Sequence, residues 1–111
     1  MNVACAKVKD VRAQIDSLHL DDKGQEAMND PRVNDLLKQG SDATKELAQK
    51  ADAAANANTG RIGQLRRSFE TNRDLIGKVG SFVVSESIDD ARDKARKFRK
   101  VADIVGADGC R

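Results

Sequence analysis

Two stretches of this chain share one pattern. Gly60-Arg61-Ile62-Gly63-Gln64-Leu65 and Gly77-Lys78-Val79-Gly80-Ser81-Phe82 each read glycine, basic, branched, glycine, polar, apolar. Small residues around a cation let backbone N–H groups and a positive side chain approach one phosphate together. The cations Arg61 and Lys78, with Arg66, Arg67 and the run Arg96, Lys97, Arg99, Lys100, are the candidate contacts to a partner or to phosphate. The run also has a plainer reading, a solvated helix face whose cations complement Asp89, Asp90 and Asp93 one or two turns earlier. Other reactive groups are sparse. His19 is the sole histidine, next to the polar side of a helical pattern, and with two distant cysteines it makes a poor zinc set. No Gly-x-Ser-x-Gly, no phosphate-binding loop and no arguable Ser-His-Asp set is present. The expectation is a protein without catalytic, cofactor-binding or metal-ligating residues.

The second glycine element, with Ile76 before it and Val83 after it, resembles the GxxG element of KH nucleic-acid-binding domains. That resemblance implies a backbone clamp on single-stranded nucleic acid, centred on Lys78. A second segment, Val11-Arg12-Ala13-Gln14-Ile15-Asp16-Ser17-Leu18, resembles the start of an all-helical chorismate mutase. It implies that Arg12 faces a substrate carboxylate. Against both stands the leading reading, a non-catalytic helical module that binds another protein or associates with itself, because heptad pattern is abundant and reactive groups are few. Net charge is +2, too small to argue for nucleic acid as the principal partner. Residues 1–60 hold 8 Lys/Arg against 10 Asp/Glu and residues 61–111 hold 12 against 8, so the second half is mildly basic.

The elements that position these residues read as one helical domain over 1–111, an all-α antiparallel bundle of three to five helices. Ala4, Val8, Val11, Ile15 and Leu18 recur at alternating four and three, a heptad seam predicting a helix over about 3–20. Asp21-Asp22-Lys23-Gly24 ends it, and a helical turn is expected around Glu26 to Met28. Asp30-Pro31 reads as an N-cap and first helical residue. The helix it opens, with Val33, Leu36 and Leu37 inward, is expected to stop at Gly40, with Ser41 capping the next. A heptad frame from Thr44 through Ala48, Ala51, Ala55, Asn58, Ile62, Leu65, Phe69, Asn72, Ile76 and Val79 to Val83 suggests one long central helix over 41–83. Asn56-Ala57-Asn58-Thr59-Gly60 argues locally for a break. Asn58 and Asn72 fall on the seam, where a buried asparagine can fix register. The last helix begins at the Ser87–Asp90 capping box. It carries Ile88, Ala91, Ala95, Phe98, Ala102 and Val105 inward and stops at Gly106. The longest alternating run is Ser81 to Ser85, too short to predict a sheet.

Cys5 and Cys110 stand at the outer ends of the two terminal helices. Packing those helices around the central one brings the two thiols together, so a Cys5–Cys110 disulfide is expected. Such a bond belongs to an oxidising compartment. Met1 to Leu20 carries no apolar signal-peptide core, although Asn2-Val3-Ala4-Cys5 resembles the end of a bacterial lipobox. The disulfide tilts the expectation toward a secreted or periplasmic protein, with the cytoplasm as the alternative. No stretch approaches the roughly 18 apolar residues of a membrane span, which argues against membrane insertion.

Overall fold

A computed structural model of the chain describes residues 2–53 and 60–108. The expected first seam is buried throughout. Helix α1, Asn2–Ser17, places Ala4, Val8, Val11 and Ile15 in the interior, and Leu18 follows just past its end. The helix stops three residues earlier than its pattern. Leu18 and His19 donate backbone N–H groups three residues back, to Ile15 and Asp16. His19 then turns the chain at φ 49°, in the left-handed region that a non-glycine residue seldom adopts. Two short 3-10 turns follow, Leu20–Asp22 and Gln25–Asn29, which bury Leu20 and Ala27. The second of them contains the expected turn around Glu26.

Helix α2, Pro31–Ala53, opens as the Asp30-Pro31 pair predicts: the Arg32 N–H donates to Asp30 Oδ1 at 2.9 Å. The expected stop at Gly40 is wrong. The helix runs straight through, and Ser41, read as a cap, is an interior residue only 3% exposed. The buried stripe Val33, Leu37, Gly40, Thr44, Leu47, Ala51 keeps alternating steps of four and three across the glycine. Gly40 belongs to it for a packing reason. A Cβ there would lie 3.0–3.2 Å from three atoms of the Phe98 ring, so the ring rests directly on the helix backbone. A helix-interior glycine costs about 1 kcal/mol relative to alanine. Here that cost is set against closer approach of a large buried aromatic ring.

The single long helix over 41–83 is not formed. Residues 54–59, with Asn58 and Ala55 of the proposed seam, lie outside the described residues. Helix α3, Gly60–Thr71, begins at a glycine with φ 71°, a conformation that side chains disfavour. Helix α4, Arg73–Gly80, follows after a second interruption at Asn72. Asn72 fixes no register between helices. It joins them: its N–H and its Nδ2 both donate to the Ser68 carbonyl, at 3.0 and 2.8 Å, while its own carbonyl accepts from Ile76. Leu65 and Phe69 of the frame are buried, Ile76 and Val79 are half-buried, and Val83 is 69% exposed, so the frame fades toward its end.

Helix α5, Ile88–Asp108, begins at the expected capping box, with the Asp90 N–H donating to Ser87 Oγ at 3.1 Å. Ile88, Ala91, Ala95, Phe98, Ala102 and Val105 are all buried, joined by Val101. The stop expected at Gly106 is not used. Its φ is not positive, and the helix continues two residues past it. Helix α5 packs on all four others and runs antiparallel to α1, since Arg12 meets Asp103 while Asp16 meets Arg99. The result is an all-α bundle of five helices, with no strand among the described residues. No helix among them is long and apolar enough to cross a membrane.

Candidate interaction surface

Between α4 and α5, residues 81–87 form neither helix nor strand. Two amide side chains hold them. Asn34 on α2 donates to the Ser85 carbonyl at 2.9 Å and accepts from the Ser85 N–H at 2.8 Å. Gln25 in the 3-10 turn donates to the Glu86 carbonyl at 2.8 Å and accepts from the Ile88 N–H at 2.9 Å. Each amide therefore offers the backbone the donor–acceptor pair that a neighbouring strand would offer. Lys94 adds a third tie, donating to the Val83 carbonyl while its Nζ lies 5.5 Å from the centre of the Phe82 ring. The same ammonium group is 2.9 Å from Asp90, and this contact holds the Asp90 carboxyl below its ordinary range.

The three ties come from α2, the second 3-10 turn and α5. Ser85 is buried, Phe82 is half-buried, and Val83 and Val84 are exposed at 69% and 61%. The segment is a strap held from within the chain, and its two valines face solvent. Beneath it lies a cavity of about 30 Å³ lined by Leu37, Val79, Phe82 and Phe98 with Lys78, Lys94 and Lys97. That volume holds about one water molecule and no substrate.

Of the basic residues singled out from the sequence, Lys78 and Lys97 line the same cavity, with Lys94, and the others are spread along α3 and α5. Arg61 is the second residue of α3, with Arg66 half-buried and Arg67 exposed further along it. Lys78 is exposed on α4. On α5, Arg96 and Lys97 both pair with Asp93, at 3.4 and 2.8 Å, and Lys97 holds the Asp93 carboxyl below its ordinary range. Lys100 is exposed. Arg99 reaches across to α1, 2.8 Å from Asp16 and 3.9 Å from Asp21. Asp16 in turn neighbours Arg12 at 3.7 Å, and Arg12 bonds Asp103. Alternating charges thus stitch α1 to α5, and Arg12, which the chorismate mutase resemblance would aim at a substrate, is enclosed by two carboxylates. Gly77 and Gly80 of the second GxxG element lie inside α4 rather than in a loop between strands. No group of three or more potential metal ligands occurs among the described residues.

Sequence reasoning missed the strap and its holders, Asn34, Gln25 and Lys94. One signal was present, since Ser81–Ser85 is the longest alternating run. Its misassignment came from extending the heptad frame to Val83. Cys5 is buried at the start of α1, and no cysteine is free among the described residues; Cys110 lies outside them, and with it the expected pairing. Compared with protein-family models, with curated proteins and with solved structures, this chain matches none.

Proposed function

We propose that this chain is a non-catalytic helical module that acts by docking to protein, and that it docks through the strap at residues 81–87. The observation that carries this reading is an ordered segment with uncovered apolar residues. Three polar side chains hold the strap and leave Val83 and Val84 exposed. Exposed apolar side chains gain from cover by a partner. Holding the strap by side chains keeps it in place before a partner arrives, and this lowers the entropy lost on binding. The arginines and lysines of α5 are largely ion-paired within the chain, which favours this over phosphate binding.

The Cys5–Cys110 disulfide belongs to the same proposal. The antiparallel register sets Arg12 against Asp103 and Asp16 against Arg99, so the start of α1 lies toward the end of α5, which supports the pairing. An exported interaction module is the reading that joins the bond to the docking strap.

A photo-crosslinking residue placed at Val84, and separately at the exposed Lys9 of α1, tests the docking strap in the producing cell. Val84 is expected to give protein adducts several-fold above Lys9, and Val83→Asp is expected to abolish them. Equal labelling at the two positions overturns the reading.

A further inference from the structure

We infer that the strap's partner is a protein segment that joins carboxylates to apolar residues, with its apolar residues over Val83 and Val84 and its carboxylates against Lys78 and Lys97. This rests on the docking reading above and names the chemistry of its occupant. The two exposed valines follow directly on Ser81 and Phe82, which line the cavity beneath the strap together with Lys78, Lys94 and Lys97. Positive charge is in surplus there. Lys94 is matched by Asp90 at 2.9 Å. Lys97 shares its one carboxylate, Asp93 at 2.8 Å, with Arg96 at 3.4 Å. Lys78 is exposed on α4 and joins no ion pair among the described residues. Beside the strap, then, the four cations Lys78, Lys94, Arg96 and Lys97 stand against the two carboxylates Asp90 and Asp93.

That surplus sets the sign of the partner. A carboxylate brought to the cavity mouth meets Lys78, which has no counter-charge, and Lys97, which has half of one. Apolar cover over Val83 and Val84 removes water from beside the same contact, and attraction between charges strengthens as water leaves. The two parts of the segment therefore support each other. Charge also separates protein from lipid. Glu86 and Asp89 lie within six residues of Val83, Glu86 is exposed, and the Asp89 side chain is 90% exposed. An anionic bilayer pressed onto the valines would meet both carboxylates. A peptide can keep its own carboxylates on the lysine side alone.

Fluorescence anisotropy with the purified chain and three labelled peptides decides it. One peptide has two glutamates followed by three leucines, one has lysines in place of the glutamates, and one has serines in place of the leucines. The first is expected to bind about tenfold more tightly than either of the others. Lys78→Glu should remove that preference for glutamate over lysine. Lys9→Glu, the same change of net charge on α1, should leave it intact, and Val83→Asp should abolish binding. Circular dichroism of each variant checks that the helices persist. Vesicles of phosphatidylglycerol and phosphatidylcholine should not carry the chain down on sedimentation, and vesicle binding that Val83→Asp removes overturns the inference in favour of a membrane. Equal binding of the glutamate and lysine peptides, or a preference that survives Lys78→Glu, overturns it as well. If no peptide binds while Val84 still crosslinks to other proteins more than Lys9 does, the docking strap stands and the acidic, apolar occupant falls. If both measurements are blank, both fall.

Discussion

Helix α5 has two sides built from the same residue types, and they end differently. Toward α1 and α2 it meets Val8, Val11, Ile15 and Leu47, all at most 1% exposed, and Phe98 presses on the bare backbone of Gly40. Toward α4 and the strap nothing closes as completely. Helix α4 has no fully buried residue, Ile76, Val79 and Phe82 are half-covered, and Val83 and Val84 face out. Apolar burial holds the first side, at about 25 cal/mol per Å² of surface removed from water. The second side is fixed instead by hydrogen bonds from Asn34, Gln25 and Lys94. Side-chain amides can set the position of a segment without covering its apolar residues. That leaves a segment which is ordered and still uncovered.

The largest expected contrast comes from truncating one residue on each side. Phe98→Ala empties a packed site and should cost about 3–5 kcal/mol in urea unfolding. Val83→Ala removes an exposed side chain and should change stability by less than about 0.5 kcal/mol. Comparable losses at the two positions would erase the distinction between the sides.

Next in size is the covalent tie proposed at the far end of α1 and α5. Reduction, or a Cys5→Ser/Cys110→Ser double variant, should lower stability by about 2–4 kcal/mol. Alkylation of the unfolded, non-reduced chain followed by mass measurement reports the bond directly. Two labelled thiols would remove the disulfide and the argument for export together.

The contact between Gly40 and Phe98 sharpens the account of the tightly packed side. Alanine at 40 favours the helix by about 1 kcal/mol. Its Cβ, however, would crowd the Phe98 ring at 3.0–3.2 Å, and that ring is 2% exposed, with only the cavity of about 30 Å³ beside it to move into. Overpacking of this kind costs about 1–3 kcal/mol. Gly40→Ala should therefore destabilise the chain. In a Phe98→Leu background the ring is gone, and the same change should stabilise it. A double-mutant cycle in which the sign does not change between backgrounds would mean that the ring is not the reason for the glycine.

The fold class and the α1 and α5 seams were legible because both follow a three-four rhythm to their ends. Residues 31–53 were misread at one point. Gly40 and Ser41 look locally like a stop and a cap, and only the ring of Phe98, 58 residues away in sequence, explains a glycine inside a helix. The long central helix failed for a related reason. A preserved phase through Asn72 counts spacing but not the side-chain amide that bonds the Ser68 carbonyl and turns the chain there. The strap was least legible. Two of its three holders, Asn34 and Gln25, lie 51 to 63 residues away in sequence, and no local pattern connects an amide to the backbone it will hold.

Acid offers the gentlest separation of the two sides. Glu26, Asp30, Asp90 and Asp93 are all held below the ordinary carboxylate range, and all four lie at the end of the bundle that holds the strap. Backbone N–H groups of Glu26 and Gly24 lower Glu26, and Arg32 lowers Asp30 to about 2 through side-chain and backbone hydrogen bonds. Lys94 lowers Asp90 and Lys97 lowers Asp93. A depressed folded-state pKa means that the charged form is favoured by folding. The contribution is complete above the ordinary carboxylate range and is lost as pH falls through it toward the folded value. Protonating Asp90 frees Lys94, the residue tied to the Val83 carbonyl and the Phe82 ring. The strap's methyl and ring resonances at Phe82, Val83 and Val84 should therefore shift on acidification, with midpoints below that of a free carboxylate. Those of Ile15 and Leu47 should hold until the chain unfolds. In Asp90→Asn the Lys94 partner carries no titrating charge, so the Val83 and Val84 shifts should flatten. If they titrate as before, Lys94 is held by something other than Asp90, and the ionic part of the strap's hold is wrong.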